Sequence, residues 1–101
     1  MYPYVKTAPF STIVSGNLAS ISNTGGVQIT TDEDAKDIDY AIIQADPGNS
    51  GVLYIGDSDV SIRSLELGKG DRIEIPIKDL TKVYLRASTT SQNVQFIYFK
   101  Q

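Results

Sequence analysis

The sequence contains no cysteine and no histidine. Without cysteine it can form neither disulfides nor thiolate metal sites, and its composition is silent on redox compartment. The missing histidine excludes more, because histidine is the usual general base and the commonest metal ligand. Basic charge is thin as well. Nine lysines and arginines are scattered singly against twelve acidic residues, for a net charge of −3. No basic cluster exists to track a phosphate backbone, so no nucleic-acid partner is expected. No apolar stretch approaches the length of a membrane span, and no membrane partner is expected either. The opening MYPYVKTAPF lacks the charged-then-apolar order of a signal peptide, so the chain is expected to be used as written.

What is present is strand signal. The 101 residues suit one domain with one modest core. Residues 72–78, RIEIPIK, alternate cleanly, with Ile73, Ile75 and Ile77 on one face; Pro76 cannot donate to a ladder and predicts an edge position. Residues 82–87 (KVYLRA) and 27–31 alternate too. Three runs, 40–45 (YAIIQA), 52–55 (VLYI) and 94–99 (VQFIYF), are apolar on both faces. Such runs are central strands of a sandwich, or strands whose outer face meets another chain. Turn clusters separate the runs, among them Ser15-Gly16-Asn17, Asn23-Thr24-Gly25-Gly26, the stretch 46–51 and Gly68-Lys69-Gly70-Asp71. Only residues 31–36 suit a helical turn, with Thr31 as its cap. The spacing predicts an all-β fold: a single antiparallel β-sandwich of about eight strands, jelly-roll-like, over residues 11–101. Residues 1–10 read as an extended arm, with an edge strand from Pro9 as the alternative.

Chemistry is sparse. VLYIGDSDVS at 52–61 has the look of a GDS-type hydrolase nucleophile at Ser58. A catalytic serine needs a base, almost always histidine, and such hydrolases follow the motif with a helix that residues 60–67 do not sustain. Gly56-Asp57-Ser58 therefore reads as a tight turn, and no catalytic residue is assigned. Asp32-Glu33-Asp34 with Asp37 and Asp39 carries carboxylates at positions one and three of a calcium loop. It lacks the glycine at position six and the glutamate at twelve, where Ile43 stands. It reads as a solvated acidic loop, and Asp57 with Asp59 is too sparse to bind alone; neither metal nor cofactor is expected. Among the aromatics, Tyr40, Tyr54, Phe96 and Phe99 lie in the strongest runs and read as core, while Tyr2, Tyr4, Phe10 and Tyr84 are candidates for exposure.

The second half carries an ordered set of motifs: Gln44-Ala45, Asn49-Ser50-Gly51, Leu53-Tyr54-Ile55-Gly56, Leu67-Gly68-Lys69-Gly70, Asp79-Leu80-Thr81-Lys82-Val83-Tyr84 and Ala87-Ser88. In this order they resemble small structural proteins of tailed-phage and prophage genomes. The resemblance implies a non-enzymatic virion component on the capsid exterior, a head decoration or cement protein whose partner is the major capsid protein. A location on the tail is the variant, and a carbohydrate-binding module the alternative. Proteins of this kind commonly sit on threefold axes, which implies a homotrimer. On this reading Tyr2, Tyr4 and Phe10 of the arm anchor the protein to its capsid neighbours. The second strand face of residues 94–99 supplies an oligomer interface, assigned to Phe96, Ile97 and Phe99, because one core can bury only one face.

Overall fold

The structure, a computed structural model, describes residues 12–100; the arm residues Tyr2, Tyr4 and Phe10 lie outside the described residues. Eight strands form two four-stranded antiparallel sheets. They are β1 (Thr12–Ile21), β2 (Val27–Gln28), β3 (Tyr40–Ala45), β4 (Leu53–Gly56), β5 (Leu65–Leu67), β6 (Arg72–Ile75), β7 (Tyr84–Ala87) and β8 (Gln92–Lys100). One sheet has the order β1-β8-β3-β6 and the other β2-β7-β4-β5. This is the jelly-roll order, a double-sheet solution that sends most connections across the sandwich. Consecutive strands pair directly only at β4–β5.

Alternation sets the inward faces. Ala41, Ile43 and Ala45 of β3 and Val94, Phe96 and Tyr98 of β8 meet Leu53 and Ile55 of β4 and Leu85 and Ala87 of β7 in one buried cluster. Ile21, Ile29, Ile38 and Leu80 close its ends. Strand β6 is an edge, as Pro76 requires, and the ladder stops at Ile75.

Three local readings are corrected. Ser15-Gly16-Asn17 does not turn; it lies inside the ten-residue strand β1. The reason sits across the ladder, where Gly16 pairs with Phe96. A Cβ on Gly16 would stand 2.5 Å from the Phe96 ring, so the ring occupies the space that the glycine leaves open. The second correction concerns the short 3₁₀ turn Glu33–Lys36, capped not by Thr31 but by Asp32, whose carboxylate accepts from the Asp34 amide at 3.0 Å. Likewise residues 80–82 form a 3₁₀ turn rather than the start of β7, because Asp79 caps them by accepting from the Thr81 amide at 2.9 Å.

One polar knot stands in the core wall. Buried Gln92 accepts from the Gly51 amide at 2.8 Å and donates to the Thr90 carbonyl at 2.8 Å and the Ser50 hydroxyl at 3.1 Å. Beside it Asn49 donates to the Asn93 carbonyl at 2.9 Å and accepts from the Asn93 amide at 2.8 Å. Together they fasten the loop after β3 to the start of β8. Gln92→Leu keeps the volume and leaves the Gly51 amide without its acceptor. It is expected to cost about 1–3 kcal/mol in denaturant unfolding.

Candidate functional site

The GDSDVS segment, residues 56–61, closes on its own backbone. The Asp57 carbonyl accepts from the Val60 amide at 2.9 Å, and the Asp57 carboxylate accepts from the Asp59 amide at 3.0 Å. Asp57 thus bonds its own backbone two residues on, as a turn does. Ser58 is exposed between β4 and β5. No helix follows; the next element is the short strand β5.

The acidic segment is engaged in local structure. Asp32 is a cap, Glu33 meets Lys36 at 3.0 Å, and Asp37 meets Lys78 at 2.9 Å. The hydrogen bond from Lys78 holds the Asp37 carboxyl below its ordinary value, and both partners are solvated, so the pair adds little stability. Among the described residues no group of three acidic side chains lies close enough to hold a metal ion.

What the fold does present is a graded surface on the outer face of the β1-β8-β3-β6 sheet. The register aligns its side chains in rows. Ile13, Phe99 and Tyr40 form the first row. Ser15, Ile97, Ile42 and Glu74 form the second, and Asn17, Gln95, Gln44 and Arg72 the third. Ile13 is 63% exposed, and Ile42, Ile97 and Phe99 are half-buried. The Tyr40 and Phe99 rings are 5.8 Å apart and tilted by 37°, and the Tyr40 hydroxyl donates to Glu74. The face therefore runs from apolar to polar along the strands, and Ile42 and Ile97 line a shallow depression of about 200 Å³ with Gln44 and Gln95.

Three sequence assignments change here. Phe96 does not share this face with Ile97 and Phe99; it is 8% exposed and turned to the opposite sheet, as alternation along β8 demands. Tyr40, Tyr54 and Phe99, read as core, are half-buried on outer faces for the same reason. Tyr98, which alternation puts on one face of residues 94–99 with Val94 and Phe96, is the large buried tyrosine. Ile13 was missed because its strand was read as broken at Gly16. The alternation of Ile13 with Val14 was the available signal.

No protein-family model matches the chain, and no curated protein matches it. Among solved structures, a chain of Bacillus endospore appendages, a family of disulfide-linked pili, is similar with a TM-score of 0.42 and 16% identity. The match covers 89% of this chain and 90% of that one. At that level the likeness says nothing of what this chain does.

Two outcomes test the site chemistry. Ser58→Ala should change no ester hydrolysis and shift stability by less than about 1 kcal/mol; esterase activity lost in this variant would restore the nucleophile reading. Asp79 gives a pH test. The Thr81 hydroxyl and amide, bonding its carboxylate, hold that carboxyl below its ordinary 3.8. A carboxyl depressed on folding stabilises fully above its unfolded value and loses that contribution as pH falls through the folded one. Melting curves below pH 3.8 should therefore fall less steeply for Asp79→Asn than for the parent.

Proposed function

We propose that this protein is a non-enzymatic structural component of a tailed-phage virion, a head decoration or cement protein that binds the major capsid protein on the capsid exterior as a homotrimer. The observation that carries the reading is the outer face of the β1-β8-β3-β6 sheet. A solvated sheet face alternates to polar residues, whereas this one sets Ile13, Ile42, Ile97 and Phe99 side by side with a polar border. An apolar centre with a polar rim is the anatomy of a protein contact. The ordered motifs of the second half supply the virion context.

Mechanistically, the face lies against the shell and bridges neighbouring capsid subunits, adding contacts that resist internal DNA pressure. A trimer presents the face three times. Linked contacts gain avidity through effective concentration, so one modest face per copy suffices.

Light scattering at micromolar concentration should report a trimer, and the protein should co-sediment with capsids of the phage that encodes it. Ile97→Glu should weaken co-sedimentation at least tenfold, about 1.4 kcal/mol, with the melting midpoint little changed. Binding to a glycan array with no binding to capsids would replace this reading with the carbohydrate-binding one.

A further inference from the structure

Among the described residues, strand β1 lies at the edge of its sheet and pairs only with β8. An edge strand exposes unpaired backbone groups, and proteins blunt such edges with charge, proline or bulges. Over residues 12–18, TIVSGNL, there is no charge and no proline, and the register shift comes only after Leu18. The facing sheet covers little, because its own edge strand β2 has two residues. Between β1 and residues 27–32 opens a cleft of about 490 Å³, with Val14 and Leu18 on one wall, Val27 and Ile29 on the other, and Phe96 and Tyr98 at its base.

A second observation points into this cleft. Tyr98 is 1% exposed, and its buried hydroxyl has no hydrogen-bond partner among the described residues. Buried hydroxyls are nearly always bonded. Desolvation, with smaller effects of Asp32 and Asp34, pushes its pKa up, so it stays a neutral donor in search of an acceptor.

We infer that the cleft and the free edge of β1 accept residues 1–11 of a second copy as an added antiparallel or parallel strand. The sequence of that segment fits the role. Strand pairing uses the N–H groups of alternate residues along one edge. Pro3 and Pro9 both stand at odd positions, so the edge served by Tyr2, Tyr4, Lys6, Ala8 and Phe10 keeps every donor. Lys6 is the segment's only charged side chain, and Asp32 stands among the residues that line the cleft. Tyrosine and phenylalanine give apolar area at low rotamer cost.

The donor is a second copy rather than the same chain for a conformational reason. To lie on its own β1, the segment must reverse just before Thr12. Residues 7–11, TAPFS, offer no glycine, asparagine or aspartate for the positive φ of tight hairpin turns. An eleven-residue segment running on instead spans up to about 36–40 Å, comparable with the protein's 41 Å long axis. Passing each arm to the next copy closes a ring, a heterologous arrangement consistent with a trimer. The inference deepens the proposed homo-oligomer and rests on it, while leaving the outer face for the shell.

The test is complementation in the full chain, read by light scattering. An arm variant (Tyr2→Ser, Tyr4→Ser, Phe10→Ser) and a cleft variant (Leu18→Lys) should each be monomeric with folded spectra, and their equimolar mixture should form one-to-one pairs, since one intact arm then meets one intact cleft. Thr31→Trp, exposed at the cleft and outside the core, replaces Leu18→Lys if that variant unfolds. A mixture that stays monomeric, or single variants that remain trimeric, overturns the inference. Unchanged mass with hydrogen exchange of β1 raised only in the arm variant overturns it in favour of the chain's own arm. Loss of capsid binding in Ile97→Glu with the trimer intact separates this contact from the shell contact.

Discussion

The structure depends on the seating of β8 between β1 and β3. It is the last strand of the chain, yet it lies inside its sheet and joins the first strand to the third. Its inner residues Val94, Phe96 and Tyr98 fill the middle of the sandwich, and its first residue, Gln92, ties the loop after β3. Until β8 is in place, β1 has no partner in the sheet and the core stays open along one side. Such pairing across nearly the whole sequence carries a large loop-closure cost and makes the fold slow to assemble. The Gly16–Phe96 contact serves this seating: a glycine opposite an aromatic ring lets the last strand approach the first without a steric conflict.

The same arrangement sets where the proposed binding surfaces lie. Because β8 and β3 are central, their outer residues are held rigidly by ladders on both sides, and Ile42 and Ile97 form a fixed patch rather than a mobile one. Because β1 is the edge beyond β8, its far side is backbone that no described strand pairs with. The sandwich thus offers two kinds of contact, side chains on a face and main chain along an edge. The first suits a broad, shallow neighbour; the second suits a single extended segment. A third apolar area, lined by Leu65 of β5 with Ile73 and Ile75 of β6, belongs to neither, and Leu65 is 68% exposed there.

The two motifs that resemble chemical sites are engaged in local structure. The GDSDVS turn spends its polar groups on itself, Asp57 bonding the amides of Asp59 and Val60 through its carboxylate and carbonyl. The acidic stretch does the same through the Asp32 cap and the Glu33–Lys36 and Asp37–Lys78 pairs. Short polar residues used as caps and turn closers mimic motif spacing, and only their partners separate the two uses.

The sequence by itself determined the all-β class, the positions of β3, β4 and β8 to within a residue or two, the start of β6 though not its end, and the turn at Ser58. Each follows from local physics: period-two alternation, a proline that ends a ladder, a serine with no base. Tertiary structure decided the rest. Ser15-Gly16-Asn17 carries turn propensity, and only Phe96 from the far end of the chain makes it strand. Residues 94–99 are apolar on both faces, so which face is core depends on the opposing sheet, which turned Phe96 and Tyr98 inward and left Ile97 and Phe99 outside. Strand order was decided there as well: of the seven pairs of consecutive strands, one, β4–β5, lies side by side in a sheet, and the other six are parted between the two sheets. The cleft at β1 exists only once two distant edges face each other, and no local pattern records that.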